Sequence, residues 1–353
     1  MKQLNKRQIN IFWFIRDNNN SSNKEIREFL ESIGEDAVRM TVIRDLDKLL
    51  NEVLISKSGD GRNVSYSATL RGTILAFIDP TEYFKKYFEN RKLASETFNF
   101  KIFEYLTVPI LEGGEIAELE KLNDEKYTKK IIDVSPTILR RETERLLIDF
   151  SWKSSQIEGN TYSILETETL IKERIKAKGH SDEEANMILG HKKALEYVLE
   201  NRGEFKDATV VKIENIHSLL TGDLGIAKNI RQRLVGIGGT KYRPLDNEYQ
   251  IKEALEKTCE FINNEKIHPL VRAMIVVLLI SYIQPFEDGN KRTARLTGNA
   301  ILIAHGYCPL SYQTVDVTEY KKATLLFYEQ NNVSYFKKLF IEQFEFAVNE
   351  YFL

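Results

Sequence analysis

A chain of 353 residues that is 42% hydrophobic and 29% charged has room for two domains or one large one, and enough apolar material to bury a core. Fifty basic residues stand against fifty-two acidic ones, a net charge of -2, so bulk electrostatics name no partner and any nucleic-acid surface has to be local. The longest apolar run, Ala273 to Ile283, is too short to cross a bilayer, the N-terminus carries no signal-peptide pattern, and Cys259 and Cys308 stand too far apart for a zinc motif, which together predict a cytoplasmic protein with free thiols and no membrane partner.

Residues 1–75 read as one unit. Ile9, Phe12 and Trp13 recur at helical spacing, and "SSNKEIREFLES" opens with capping residues before Ile26, Phe29 and Leu30 share a face. After the break "IGEDA", the segment "VRMTVIRDLDKLLNE" places Val42, Leu46, Leu49 and Leu50 on one stripe, and "VLISKSGDGRNVSYSAT" predicts two short strands around a Gly59-Asp60-Gly61 turn. Three helices and a hairpin resemble a winged helix-turn-helix domain. That resemblance implies Arg39, Thr41 and Arg44 facing a DNA major groove, with Arg62 on the wing. Residues 1–71 hold 12 basic and 10 acidic side chains, a weak footprint for DNA, and the same fold also docks proteins, so both partners stay open.

Residues 76–134 read as a helical connector, with Gly113-Gly114 and the charged run behind it predicting a flexible junction. From 135 to 353 the pattern is helix after helix, so the fold class is mainly α. The exception is Arg231 to Leu245, where Val235 and Ile237 at strand spacing and then Gly238-Gly239 predict a small β-hairpin.

The chemistry gathers in "SYIQPFEDGNKRTAR", Ser281 to Arg295. An apolar helix ends near Ile283, Pro285 favours a reversal, Gly289 permits close backbone approach, and a new helix follows with Leu296, Ala300 and Ile303 on one face. A loop running into a helix N-terminus presents unpaired N–H groups and the positive dipole end, which suit an anion. Arg292 and Arg295, three apart on the first turn, point toward one phosphate chain; Lys291 adds a further polar contact, and Asp288 is the oxygen ligand that brings Mg²⁺ to the phosphates.

"PFEDGNKRTAR" resembles the signature of the Fic family, His-Pro-Phe-x-(Asp/Glu)-Gly-Asn-(Gly/Lys)-Arg-x-x-Arg, at every position but the first. The family transfers the AMP part of ATP, or in some members another nucleotide or phosphate group, onto a hydroxyl of a protein. The resemblance implies ATP as substrate, Asp288 on Mg²⁺, Gly289, Asn290 and Lys291 around the phosphates, and Arg292 and Arg295 at the β/γ end, with Asp288, Asn290 and Arg292 in the catalytic set. "SDEEANMILGHKKALEYV" and "IENIHSLL" resemble helices that precede the motif in such domains, and Val235–Pro244 resembles the flap that aligns a target segment by strand addition. Val235, Gly236, Ile237, Lys241 and Tyr242 are its candidate docking residues. "SSQIEGN" resembles the family's inhibitory pattern (Ser/Thr)-x-x-x-Glu-(Gly/Asn), with Ser154 and Glu158 on one helical face. It implies that Glu158 occupies Arg295 and competes with the ATP γ-phosphate for one guanidinium.

Gln284 stands where the family has a histidine that takes the proton from the target hydroxyl, and an amide has no pKa with which to do so. His180, His191, His217, His268 and His305 all lie outside the loop. The leading expectation is an autoinhibited adenylyltransferase, acting on Ser, Thr or Tyr of a target protein and impaired by Gln284. A nucleotide-sensing or DNA-binding regulator without transfer, a phosphotransferase of the Doc subgroup (suggested by Lys291, opposed by Arg295), AMP removal and a homodimer stay open.

Overall fold

The computed structural model describes residues 4–35 and 37–352. The N-terminal unit is built from α1 (Lys6–Asp17), β1 (Ser21–Ser22), α2 (Asn23–Ser32), α3 (Arg39–Asn51), β2 (Ile55–Ser58) and β3 (Ser65–Ala68). Reciprocal capping boxes start α1, between Asn5 and Gln8, and α2, between Ser22 and Glu25. The strands form one antiparallel sheet in the order β1-β3-β2, with Ser21 opposite Tyr66 and Ile55 opposite Ala68. The two-residue β1 carries no sequence pattern and escapes prediction.

Helix α1 turns a different face inward from the one its Ile9, Phe12 and Trp13 spacing predicts: Gln8, Ile11, Phe12 and Ile15 are buried. The cause is polar, because Asp45 on α3 is buried and accepts from Gln8 Nε2 at 2.8 Å and Arg7 Nε at 2.6 Å. Val42, Leu46 and Leu49 of α3 join this small core, Leu50 is half-buried, Arg39 and Arg44 are exposed and Thr41 is half-buried. The side chain of Arg62 lies outside the described residues.

The connector contains α4 (Leu70–Leu75), α5 (Pro80–Lys85), α6 (Ile102–Tyr105), α7 (Gly113–Leu122), a π-helical stretch Asn123–Thr128 and α8 (Lys129–Asp133). Gly113 and Gly114 are not a flexible break. They begin α7, which Glu112 and Glu115 cap reciprocally while Arg71 pairs with Glu112 at 2.5 Å.

The remaining helices are α9 (Pro136–Ile157), α10 (Ile164–Glu173), α11 (Asp182–Glu200), α12 (Val210–Thr221), α13 (Glu248–Ile262), α14 (Pro269–Ile283), α15 (Asn290–Ala304), α16 (Val317–Gln330) and α17 (Ser334–Glu350). At their centre α14 and α15, joined by the loop 284–289, fold back on each other. Every residue of α14 from Leu270 onward is buried, and so is α15 apart from Lys291 and Ala304, which explains an apolar run with no polar face. Gly298 sets the close approach: a Cβ there would stand 2.9 Å from Ala273 O and 2.8 Å from Val277 Cγ2.

The β-hairpin expected over Val235–Pro244 is not formed. The segment is an irregular loop with a turn at Gly238-Gly239, and its backbone bridge is between Arg243 and Thr97 of the connector. The N-terminal unit and connector meet the helical body at the C-terminal end of α16 and the two residues that follow it. There Glu329 pairs with Arg91 at 3.2 Å and accepts from Tyr83 Oη at 2.7 Å, and Gln330 accepts from Arg16 at 2.8 Å. Asn331 accepts from Asn99 at 2.9 Å, and Asn332 donates to Ala76 O at 2.8 Å; all four residues are buried.

Candidate active site

Helix α14 ends at Gln284, which takes the left-handed conformation, φ 51° and ψ 61°, and so turns the chain into the loop. The Gln284 amide is bound at both ends: Nε2 donates to Ser281 O at 2.7 Å and Oε1 accepts from Asn290 Nδ2 at 3.1 Å. Asn290 also closes the loop on itself, donating to Phe286 O and accepting from Phe286 N, each at 2.8 Å. Its side chain braces the loop, its backbone N–H lies at the helix start, and the residue lines the cavity described below.

Gly289, φ 77°, begins α15, and the helix has no side-chain cap, so its first-turn N–H groups face the loop. A Cβ on Gly289 would stand 2.9 Å from Thr221 Cγ2, so α12 lies directly against the loop. From α12, His217 stacks flat on Phe286 at 3.7 Å and bonds Asp288 O through Nε2 at 3.0 Å. Burial pushes His217 down to about 4, so it is neutral at physiological pH and braces the loop rather than replacing the missing base.

Above the loop lies a cavity of about 200 Å³ lined by Glu158, Val235 to Gly238, Gln284 and Glu287 to Arg292. Of the expected docking residues, Val235, Gly236 and Ile237 reach it. Tyr242 does not: it is buried, stacks on Tyr282 at 4.6 Å and donates to Tyr282 O at 2.8 Å, while Lys241 lies outside the lining. Arg292 is buried, pairs with Asp288 at 2.8 Å, and keeps Nη1 without a hydrogen-bond partner among the described residues. A buried guanidinium with an orphaned donor beside unpaired helix N–H groups is chemically suited to an oxyanion.

The donor set also fits magnesium in the manner usual for nucleotide sites. Asp288 offers one largely exposed carboxylate at the cavity, and no cluster of three or more His, Cys, Asp or Glu forms a protein cage among the described residues. Mg²⁺ held by one carboxylate, waters and phosphate oxygens requires no more.

Arg295 is fully buried and already engaged. Nη1 meets Glu158 Oε1 at 2.9 Å, Nε donates to Ser154 Oγ at 2.9 Å, Nη2 donates to Ser154 O at 2.8 Å, and Tyr320 lies beneath at 5.4 Å. Lys291 Nζ approaches the other Glu158 oxygen at 3.5 Å. Burial alone would raise the Glu158 carboxyl; Arg295, then Lys291, outweigh it and hold it below the usual carboxylate range. The two residues singled out by spacing thus converge on one guanidinium 137 positions from Glu158.

Behind them stands His191, which spacing does not single out. Its Nε2 is 2.8 Å from Ser154 Oγ and its Nδ1 is 2.9 Å from Met187 O. Carbonyls only accept, so Nδ1 carries the proton, Nε2 accepts from Ser154, and Ser154 Oγ is left to accept from Arg295. Burial, with Arg292 next, pushes His191 down to about 3 from 6.5. The unfolded chain takes up a proton below pH 6.5 that the folded chain refuses, so stability falls as pH drops from 6.5 toward 3. At about 1.36 kcal/mol per pH unit, this removes up to roughly 5 kcal/mol. Urea titrations across that window should show a shallower loss for His191→Gln than for the parent; parallel curves would remove His191 from the account.

The helical body folds a buried arginine pair and an uncapped helix start around one loop. Residues 191–302 match the model of the Fic/DOC family. Proteins named protein adenylyltransferase Fic from Drosophila sechellia, Drosophila simulans and Drosophila melanogaster are 26% identical over 206 residues, 58% of this chain. The match spans 42% of the length of those relatives. Among solved structures, Fic-1 from C. elegans aligns with a TM-score of 0.57 at 25% identity, covering 66% of this chain and 69% of that one. A Fic domain-containing signalling protein from Bacteroides thetaiotaomicron shares the fold with a TM-score of 0.54 at 19% identity, over 66% of this chain and 92% of that one.

Proposed function

We propose that this chain is an autoinhibited protein adenylyltransferase of the Fic type whose AMP transfer is impaired by Gln284. The observation that carries the reading is the pairing of an anion loop, with Arg292 Nη1 unpartnered, and a second motif arginine occupied by Glu158. In the reaction proposed, a target hydroxyl oxygen attacks the α-phosphorus of ATP. The bond from that phosphorus to the oxygen bridging the β-phosphate breaks, pyrophosphate leaves, and the hydroxyl proton passes to a base. Arg292, Lys291 and the first-turn N–H groups of α15 hold the phosphates, and the main chain at Val235 to Ile237 aligns the target segment. Asp288 would hold Mg²⁺, which when bound supplies charge neutralisation of the phosphates. Gln284 has no proton affinity to offer the leaving proton.

The test is calorimetric titration with ATP and Mg²⁺, paired with transfer of label from α-labelled and, separately, from γ-labelled ATP. Binding lost in Arg292→Ala, with little labelling by the parent chain, is the expected result. No ATP binding even in Glu158→Gly would sink the proposal, and label passing only from the γ position would favour the phosphotransferase reading.

Gln284 also favours a second reading, a nucleotide-responsive regulator acting through residues 1–75, with 76–134 as connector and 135–353 as the Fic body. Arg39 and Arg44, exposed at the start of α3, are its candidate DNA contacts. Retarded migration of duplex DNA that disappears in Arg39→Ala/Arg44→Ala would support it.

A further inference from the structure

Arg231 lies at the base of the loop above the cavity and is buried. A buried guanidinium ordinarily faces a carboxylate. This one has none within ion-pair distance among the described residues, and Asp246 acts on it only at longer range. Instead it gathers three main-chain carbonyls. Nε donates to Gln284 O at 2.6 Å, Nη1 donates to Arg233 O at 2.8 Å, and Nη2 donates to Leu245 O. Its own backbone N–H donates to Pro285 O at 2.9 Å.

These acceptors belong to three places: the outgoing limb of the 233–245 loop, its returning limb, and the left-handed residue that opens the anion loop. One planar fork with several fixed donors therefore closes the neck of one loop and fixes the first residue of the other. No β-ladder joins the limbs, so this guanidinium does the work that cross-strand hydrogen bonds would do in a hairpin. The carbonyls it holds are buried main-chain groups that need a donor.

We propose that Arg231 is a positioning residue that sets the register between the target-aligning loop and position 284. The proposal rests on the adenylyltransferase reading for the identity of the target, and on geometry alone for the register. Removing the fork leaves the phosphate-binding groups in place and lets the target segment and the base position move independently.

Arg231→Met and Arg231→Lys, each alone and combined with Gln284→His, provide the test. Amide exchange is read at Arg243, which donates to Glu96 O at 2.8 Å, and at Phe286, which donates to Asn290 Oδ1 at 2.8 Å. Both should exchange at least about tenfold faster in Arg231→Met, with helix amides unchanged. In the Gln284→His background, kcat/KM for the target should fall roughly 10- to 100-fold while ATP affinity stays within about threefold, and Lys should restore part of the loss. Unchanged exchange at both amides in a folded Arg231→Met overturns the proposal. So does a target effect matched by an equal loss of ATP affinity. If the Met variant does not fold, the same two comparisons in Arg231→Lys decide. Absence of transfer in Gln284→His alone would instead count against the adenylyltransferase reading, and leaves the exchange result to judge Arg231.

Discussion

Replacing Gln284 with histidine should raise AMP transfer by ~10²–10⁴-fold, the contribution of a positioned base with a pKa near neutrality. The amide of Gln284 sits between one carbonyl acceptor, Ser281 O at 2.7 Å, and one donor, Asn290 Nδ2 at 3.1 Å. A neutral imidazole can donate one N–H to Ser281 O, and its other nitrogen serves the target hydroxyl once Asn290 Nδ2, which also donates to Phe286 O, leaves that lone pair free. The left-handed backbone at φ 51° costs histidine no more than it costs glutamine, because both carry a Cβ. Labelling from α-labelled ATP, on a target or on the chain itself, gives the rate. Gln284→Ala should match the parent. Equal labelling by the parent and the histidine variant would show that the reaction needs no base at this position.

Glu158→Gly should change two quantities in opposite directions. It removes the carboxylate that holds Arg295 Nη1 at 2.9 Å and faces Lys291 at 3.5 Å. A charge-assisted hydrogen bond is worth about 1.5–3 kcal/mol, so ATP affinity should rise roughly 10- to 100-fold once the γ-phosphate meets unoccupied cations. Without nucleotide the same change leaves Arg295 buried with only Ser154 and Tyr320 around it. Stripping one partner from a buried ion pair costs about 3–5 kcal/mol, so the nucleotide-free variant should melt well below the parent. Saturating ATP should recover most of that loss by mass action. Glu158→Gln keeps the shape and removes the charge, which separates electrostatics from backbone freedom at position 158. Unchanged ATP affinity in both variants would remove the inhibitory role from Glu158.

The anion loop is legible because its chemistry is nearly contiguous: seven of the candidate site residues lie between Gln284 and Arg295 and are fixed by local geometry. Ser154 and Glu158 are legible as a spacing, and their convergence on Arg295 is visible only through resemblance, because 137 residues intervene. The hairpin fails for a definable reason. Val-x-Ile followed by Gly-Gly is a pattern for paired strands, and a side chain at the loop's base, Arg231, satisfies the limb carbonyls that a ladder would have used. Nothing in "RQRLVGIGG" distinguishes that arginine from a solvated one. His191 is hidden in the same way, since its proton is placed by Met187 and its lone pair by Ser154, partners that only packing supplies. Gly113-Gly114 misleads because the capping pair Glu112 and Glu115 outweighs the intrinsic helix cost of two glycines.

The segment Glu329–Asn332 ties the two cores together through buried polar contacts. A hinge needs a seam that slides on apolar or hydrated contacts. This seam carries a fully buried carboxylate and three buried amides, each matched to a group on the N-terminal side. Rotation by even one contact would expose mismatched dipoles at a cost of about 1–3 kcal/mol per group. The exposed end of α3 is joined through this polar seam to the helical body that carries the cavity beside the loop 284–289.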